Sequence, residues 1–484
     1  MRFNYLVIVH IIGLLLMLNG VFMLLCIPFS LYFNEGDLIA ILSSGSISSG
    51  FGFIIWFLTR KITSKELKKT DGYVIVTLGW LSMSFFGTLP YLFSGAIPNL
   101  TDAFFETISG FTTTGASILT DIESVHKGIL FWRSLTQWIG GMGIIVLAVA
   151  ILPILGIGGM QLFVAESPGI SPDKMQPRIK ETAKRLWLIY VSLTLAETGL
   201  LWIGGMTFYD AINHGLTTMA TGGFSTKNTS AAHFGAYHQY VMIIFMFLAG
   251  TNFTMTYFGL HGQFKKVLAN EEFRFYGGAC IILTVIAFVA IYFVTDYNIE
   301  ESFRHGMFQV VSIITTTGYV TGDYLTWSPF ITVLFFVMMF FGASAGSTAG
   351  GVKLVRHIIL IKNSILELKR QLHPSAVIPV RFNHKAVSRD ITFNILAFIM
   401  IYIAIFAFGS VLMAMLGLDI ETAMGSVATS LGNIGPGIGT VGPIHNFAHI
   451  PDFGKWMLSF FMLVGRLELF TVLILFTPYF WRKL

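Results

Sequence analysis

Four short segments rich in threonine and glycine carry the residues best suited to hold a cation. Two are identical, Thr112-Thr113-Thr114-Gly115 and Thr315-Thr316-Thr317-Gly318. Two weaker copies are Met219-Ala220-Thr221-Gly222 and Gly432-Asn433-Ile434-Gly435. A glycine adopts positive φ without steric cost, so successive carbonyls in such a turn can point toward one axis. Rings of carbonyls replace the hydration shell of the ion in potassium channels.

The spacing of the four segments indicates an internal repeat. Their glycines are 107, 96 and 117 residues apart, which leaves room for a short helix and two membrane crossings of about 20 residues each. Taken singly, a threonine and glycine segment is also typical of an ordinary loop. Four copies between apolar pairs favour four turns around one pore.

The composition is that of an integral membrane protein. Of 484 residues, 54% are hydrophobic and 11% charged, with a mean hydropathy of +0.74, whereas a soluble domain carries about 25% charged residues. The two cysteines, Cys26 and Cys280, lie in apolar runs, so no disulfide framework is predicted.

Ten apolar segments position the four turns and predict an all-α polytopic membrane protein. They lie near residues 5–28, 38–59, 73–93, 129–156, 186–206, 238–260, 275–295, 329–361, 391–416 and 456–480. The first two lack a turn and form an extra N-terminal hairpin. The predicted domains are the hairpin at 1–70, repeat 1 at 71–160, a connector and repeat 2 at 161–262, repeat 3 at 263–361, and a connector and repeat 4 at 362–484. Each repeat is a helix, a pore helix and a second helix.

The basic residues predict the orientation. If the turns face outward, 24 of the 30 lysines and arginines lie on the inner side, as cytoplasmic loops require. Both termini are then expected in the cytoplasm. The basic loops have no interleaved aromatic residues, so nucleic acid is not an expected partner.

Acidic residues precede each turn, near the start of a short apolar segment: Asp102 and Glu106, Asp210, Glu300 and Glu301, Asp419 and Glu421. An acid at a helix N-terminus offsets the helix dipole, and acids at an outer mouth attract cations. The alternative is a membrane-embedded enzyme that uses Asp102, Glu106 or His305. Recurrence at equivalent positions favours a structural role.

The second span of repeat 3 is too long for one crossing. Residues 329–361 would measure roughly 50 Å as a straight helix, against a hydrocarbon core of about 30 Å. Its middle is a run of small residues from Gly342 to Gly351. Gly342, Gly346 and Gly350 are also spaced as a helix-packing face. The excess length favours a break, and an unwound loop below the turns would be a mobile plug.

Two basic residues are candidates for gating. Arg466 falls within the last span, where a charge is costly and indicates function. We expect it in the pore below the turns, as a positive barrier to cations. The alternative is a buried pair with an acid such as Glu197. Lys353, near the end of the long third-repeat span, is grouped with Gly342, Gly346, Gly350 and Arg466 as gating residues.

Together these motifs resemble the bacterial Trk/Ktr/HKT superfamily of potassium transporters over nearly the whole chain. The resemblance implies K⁺ uptake across the bacterial inner membrane through a pseudo-fourfold, gated pore, and it implies no enzymatic activity. The ion would bind in a filter formed by three residues per turn: Thr113, Thr114, Gly115, Ala220, Thr221, Gly222, Thr316, Thr317, Gly318, Asn433, Ile434 and Gly435.

The resemblance also implies partners. They are a second copy in a homodimer, the surrounding lipid, and a cytosolic nucleotide-binding ring, TrkA-like, on the basic inner face. The fourth turn departs from the others at Asn433 and Ile434, and only one glycine is common to all four turns. Fewer carbonyl rings predict weaker discrimination of potassium from sodium. An ion-coupled symporter, with Glu197 as coupling site, remains the alternative to a gated pore.

Overall fold

The protein is mostly helical, as its sequence predicts. The structure, a computed structural model, describes residues 4–60, 69–151, 179–373, 376 and 378–482. Within these ranges the strands are limited to an antiparallel hairpin of β1 (Arg381–Phe382) and β2 (Lys385–Ala386).

The N-terminal helices pack as a hairpin. They are α1 (Tyr5–Leu24), α2 (Ile27–Phe33) and α3 (Leu38–Thr59). A Cβ at Gly20 would come closer than 3.0 Å to the Gly45 carbonyl and to Ser49, and the Ser48 hydroxyl donates to the Leu16 carbonyl at 3.0 Å. Small residues allow this close approach of two apolar helices.

Four repeats follow, each with a short pore helix between longer helices. Repeat 1 contains α4 (Lys69–Gly87), α5 (Leu89–Ser94), α6 (Leu100–Phe111) and α7 (Lys127–Ile151). Repeat 2 contains α8 (Ile179–Ile203), α9 (Phe208–Met219), α10 (Ala236–Gly250) and α11 (Phe253–Leu260). Repeat 3 contains α12 (Phe264–Ala269), α13 (Glu271–Val294), α14 (Ile299–Ile314), α15 (Pro329–Met338) and α16 (Leu354–Leu372). Repeat 4 contains α17 (Arg389–Met415), α18 (Ile420–Gly432), α19 (Asp452–Arg466), α20 (Phe470–Leu473) and α21 (Pro478–Trp481). Short 3₁₀ turns lie at Ser230–His233, Gly439–Val441 and Ile474–Phe476.

The pore helices α6, α9, α14 and α18 begin at side-chain caps. Asn99, Thr207, Asn298 and Asp419 each accept a hydrogen bond from a backbone N–H of the first turn, which satisfies one of the otherwise unpaired donors there. Hydrogen bonds from Thr422 lower the pKa of Asp419. Most of the acids predicted near these helix starts lie in the first turn, as expected. Asp419 is itself a cap, and Glu106 lies one turn further along α6, fully buried in an ion pair with Arg133.

The second helix of every repeat is interrupted, which was predicted only for repeat 3. In repeat 3 the helix stops at Met338 and resumes at Leu354, so the expected break is present. The helix resumes well before the predicted boundary at 361 and continues to Leu372. In repeat 1, Gly143 interrupts α7 with φ 68° and ψ 142°.

The predicted spans at 238–260 and 456–480 are each broken by a sharp bend. Repeat 2 bends by 113° between α10 and α11, and repeat 4 by 112° after α19. Asn252 caps the new helix at the first bend, while Glu468 and Leu469 take φ of 58° and 41° at the second. Arg466 is therefore the last residue of α19, and not the middle of a span.

The helices are long and apolar enough to cross a membrane repeatedly. Six described helices meet this criterion, and up to eight spans result if each bent pair counts as one. They are Tyr5–Phe33, Leu38–Thr59, Thr70–Ser94, Lys184–Ile203, Glu271–Val294 and Arg389–Met415. The predicted span at 129–156 runs past Ile151, outside the described residues.

Candidate ion pore

The four pore helices end in turns with the same hydrogen bonding. In each turn a backbone N–H reaches back five residues to a helix carbonyl at 2.8–3.0 Å. The donors and acceptors are Thr114 to Ser109, Gly222 to Thr217, Thr317 to Ser312 and Ile434 to Thr429. The preceding residues, Thr113, Thr221, Thr316 and Asn433, all adopt left-handed φ between 53° and 56°. The turns are thus four copies of one backbone geometry.

This geometry corrects the register of the second turn by one residue. The glycine equivalent to Gly115, Gly318 and Gly435 is Gly223, because all four have positive φ between 75° and 104°. Gly222 corresponds to Thr114, and Ala220 corresponds to Thr112. The sequence motif alone does not fix this register, because the two glycines at 222 and 223 are adjacent.

The four turns meet in a closed ring. A Cβ at Gly115 would come closer than 3.0 Å to the carbonyl oxygen of Gly222. The same holds for Gly223 against Thr317, Gly318 against Ile434 and Gly435 against Thr114. Each glycine therefore leaves room for the carbonyl of the next repeat, and the fourth repeat returns to the first. Only glycine combines this positive φ with so little space.

Polar side chains beside the ring are buried. The Asn433 amide donates to Thr114 Oγ1 at 3.0 Å and to the Met462 carbonyl at 2.9 Å, which links the fourth turn to the first. Asn433 Oδ1 and Thr113 Oγ1 are buried without a hydrogen-bond partner. In the described ranges no group of three His, Cys, Asp or Glu side chains could hold a metal ion.

The segment between Met338 and Leu354 lies against the inner side of this ring. The Gly350 N–H donates to Thr316 Oγ1 at 2.7 Å, and a Cβ at Gly350 would lie 2.7 Å from Asn433 Cβ. Thr348 Oγ1 donates to the Met219 carbonyl at 3.0 Å. The segment thus touches the ends of three pore helices. We call residues 339–353 the inner loop.

Contacts from repeats 2 and 3 hold the inner loop. The Ser344 N–H donates to the Gly250 carbonyl at 3.1 Å. The Ala345 N–H donates to Glu272 Oε1 at 2.7 Å, and its carbonyl accepts from Asn252 Nδ2 at 2.6 Å. Because the loop is not helical, Gly342, Gly346 and Gly350 do not form a helix-packing face. Gly346 and Gly351 have φ of 74° and 64°.

Arg466 bridges the inner loop and repeat 1. Its guanidinium donates to the Thr348 carbonyl at 2.8 Å and to the Gly141 carbonyl at 2.9 Å, and also to Gly140. The ammonium of Lys353 donates to the Ala349 carbonyl in the same loop. Both cationic side chains therefore contact backbone carbonyls of the inner loop, which packs against the ring.

The alternative partners proposed for Arg466 lie elsewhere. Glu468, two residues on, pairs with Arg356. Glu197 is fully buried in α8, and no hydrogen bond joins its carboxylate oxygens to Arg466. Sequence reasoning missed Gly223, Asn252 and Glu272. Gly223 is identified by the backbone geometry that the four turns share, which a single sequence does not show. The others required the contacts of the inner loop.

Four pore helices whose turns close a ring, inside a multi-pass helical bundle, define a cation transport protein of the membrane. The TrkH family of cation transport proteins matches residues 38–483. The chain belongs to this family.

Relatives match almost from end to end. The Trk system potassium uptake protein TrkH of Salmonella typhimurium is 42% identical, covering 98% of this chain and 99% of that protein. The Trk system potassium uptake protein TrkG of Escherichia coli is 33% identical, covering 99% of both chains. The crystal structure of the potassium transporter TrkH from Vibrio parahaemolyticus matches with a TM-score of 0.88 at 37% identity, covering 99% of this chain and 100% of that one.

Family membership confirms the resemblance and the predicted fold class. It also excludes the membrane-embedded enzyme, because the family is one of cation transport proteins. The names of these relatives give potassium as the ion that they transport and a Trk system as the assembly to which they belong.

Proposed function

We propose that this protein takes up potassium across the bacterial inner membrane through a gated, cation-selective pore. The observation that carries the proposal is the closed ring of four glycine turns. Each glycine lets the carbonyl of the next repeat approach, so one carbonyl oxygen from every turn packs against the backbone of the neighbouring turn. Such preorganised carbonyls can replace the water lost by a dehydrated ion.

The proposed filter has three residues in each turn, with the second turn shifted to the corrected register. Its members are Thr113, Thr114, Gly115, Thr221, Gly222, Gly223, Thr316, Thr317, Gly318, Asn433, Ile434 and Gly435. Ala220 leaves the set, because its position corresponds to Thr112. One glycine per turn supplies few stacked rings, so the preference for potassium over sodium is expected to be moderate.

The inner loop is the proposed gate, and the arrangement of contacts supports a closed state. Gly350 and Thr348 contact the ends of three pore helices. Lys353 in the loop and Arg466 beside it contribute two positive charges. A cation leaving the filter would meet both the backbone and the like charges. Transport then requires the inner loop, including Gly342 and Gly346, to move aside.

The orientation and partners are part of this proposal. The basic inner side, the outward turns and cytoplasmic termini follow the charge asymmetry of the sequence. A TrkA-like cytosolic nucleotide-binding ring would dock on the basic inner face of a homodimer embedded in lipid. In the proposed orientation, α16 and the β1–β2 hairpin would lie on that side.

Ion-coupled symport is the second candidate, and the observation that favours it is the burial of the Glu197 carboxyl group. A carboxyl group inside a membrane helix is a functional hypothesis by default. Replacing Glu197 by glutamine would abolish coupling in a symporter and leave flux through a passive pore largely intact. Potassium flux that follows a pH or sodium gradient at fixed voltage would favour symport.

A glycine in the ring provides the test of the pore. In liposomes with purified protein, Gly318→Ala is expected to abolish rubidium flux or its selectivity, because the new Cβ overlaps the Ile434 carbonyl and φ is 80°. Gly277→Ala in α13 is the matched control, since its Cβ would meet nothing within 4 Å. Normal flux and selectivity in Gly318→Ala would contradict the filter.

A further inference from the structure

The second turn lacks a side chain that the other three possess. The positions equivalent to Gly222 are Thr114, Thr317 and Ile434, as the hydrogen bonding of the turns establishes. A Cβ at Gly222 would come closer than 3.0 Å to three atoms of one side chain, Cδ, Oε1 and Nε2 of Gln137. The space where a side chain would begin is therefore filled from α7.

Gln137 makes two hydrogen bonds to this turn. Its Nε2 donates to the Gly222 carbonyl at 2.6 Å, and its Oε1 accepts from the Phe224 N–H at 3.0 Å. The side chain is fully buried. The bonded carbonyl is the one that packs against Gly115 in the ring. Gln137 thus fixes a ring carbonyl and the residue that follows the turn glycine.

One helical turn earlier, Arg133 extends the same contact surface, since residues four apart share a helix face. It donates to the Ser225 carbonyl at 3.1 Å and lies 3.5 Å from the centroid of the Phe224 ring. It also pairs with Glu106 at 2.6 Å. Glu106 in turn accepts from the Ser117 hydroxyl and the Ile118 N–H, each at 2.9 Å.

The two turns are therefore held from behind by one buried network. Glu106 holds the chain after the first turn, and Arg133 and Gln137 hold the chain after the second. Such buried polar groups are fully satisfied only in one arrangement, which makes the network rigid. Removing one member leaves another polar group buried without a partner.

We propose that Gln137 is a positioning residue that determines ion selectivity, by supplying to the second turn the side chain that Gly222 lacks. The inference rests on the proposed filter. Gln137 orients the Gly222 carbonyl and occupies part of its hydrogen-bonding capacity, so one of four ring oxygens differs from the rest. Without the Gln137 amide that carbonyl is free to rotate, and a ring that adapts its size discriminates less between potassium and sodium.

An exchange of side chains between α7 and the turn tests this role. Gln137→Met keeps the volume and removes both hydrogen bonds, and it is expected to lower the potassium-to-sodium permeability ratio roughly three- to tenfold, the factor of about one net hydrogen bond. Gln137→Ala is expected to lower it further. Gly222→Ala alone should reduce both flux and thermal stability through overlap with Gln137. Ser134→Ala is the control, because that buried hydroxyl bonds only within α7, to Leu130.

The double variant Gln137→Ala with Gly222→Ala carries the decisive measurements, which are bi-ionic reversal potentials and melting temperatures of the full chain. Gly222→Ala is expected to lower the melting temperature in the natural background and to raise it in the Gln137→Ala background, with selectivity partly restored. An unchanged ratio in Gln137→Met, or no reversal of sign in the double variant, would overturn the proposal. Absence of potassium flux both in the unsubstituted protein and in the variant lacking residues 344–347 would instead contradict the pore, while the melting temperatures would still decide the packing of Gln137.

Discussion

At the scale of single residues, the ring depends on where side chains are absent. Four glycines with positive φ let the carbonyl of a neighbouring repeat approach, and the adjacent Gly222 makes room for Gln137. The glycine signature itself was readable in the sequence. The register of the second turn was not, because Gly222 and Gly223 fit the motif equally until their φ angles and hydrogen bonds are known.

Arg466 belongs to the same scale. Its role near the pore was expected from the cost of a charge within a membrane, but its partners are carbonyls of the inner loop and of α7. Arg466 reaches these carbonyls from the last position of α19, just before a bend that no local pattern predicts. Arginine serves this bridge because its planar group presents several donors in different directions.

We predict that Arg466→Gln increases potassium flux in liposomes. The substitution removes a positive charge below the ring and most of the donors that hold Thr348, Gly140 and Gly141. A change of about 1.4 kcal/mol in the barrier corresponds to roughly tenfold in rate. Rubidium uptake at fixed voltage measures it.

Arg466→Lys separates charge from hydrogen bonding, because it keeps the cation and loses the planar donors. Intermediate flux is expected. If Arg466→Gln conducts no better than the unsubstituted protein, Arg466 is not part of the gate.

At the scale of elements, the interrupted second helices supply contacts to the inner loop and to Arg466. The break in repeat 3 could be predicted from length alone, because 33 consecutive residues from 329 exceed one crossing. The bends in repeats 2 and 4 could not, because those segments have ordinary lengths. They depend on Asn252, which both caps α11 and binds the loop, and on positive φ at Glu468 and Leu469.

We predict that shortening the inner loop by deleting 344–347 raises basal flux several-fold. The deletion removes the hydrogen bonds from Ser344 and Ala345 to repeats 2 and 3 and pulls Gly350 away from Thr316. Flux is measured on liposomes, without and with a cytosolic partner.

The potassium-to-sodium permeability ratio of the deletion variant is the control for an intact ring. Since the ring lies outside the deleted segment, the potassium-to-sodium ratio should stay close to that of the unsubstituted protein. Lower flux with a folded protein would mean that the loop supports the pore and does not close it.

At the scale of the whole molecule, the proposed orientation rests on one charge asymmetry between the two sides of the membrane. We predict that a membrane-impermeant maleimide added outside intact cells labels Asp121→Cys, in the exposed loop after the first turn, and spares Lys265→Cys, at an exposed position of α12. Both variants are made in a background without Cys26 and Cys280, which are buried.

Labelling of everted vesicles is the matched experiment. There the maleimide should label Lys265→Cys and spare Asp121→Cys. Equal labelling of Lys265→Cys from the outside would reverse the assigned orientation and place the inner loop at the external mouth.

The ring also has a consequence for how the protein is made. Its contacts run from the first repeat to the second, the third and the fourth, and then back to the first, where Asn433 reaches Thr114 across 319 positions of the chain. A ribosome delivers these parts in order, so the nascent polypeptide holds an open arc until its final quarter enters the bilayer. An incomplete ring must not conduct ions during synthesis, so the first three repeats must pack without an open path between them. Insertion of the fourth repeat then completes the ring.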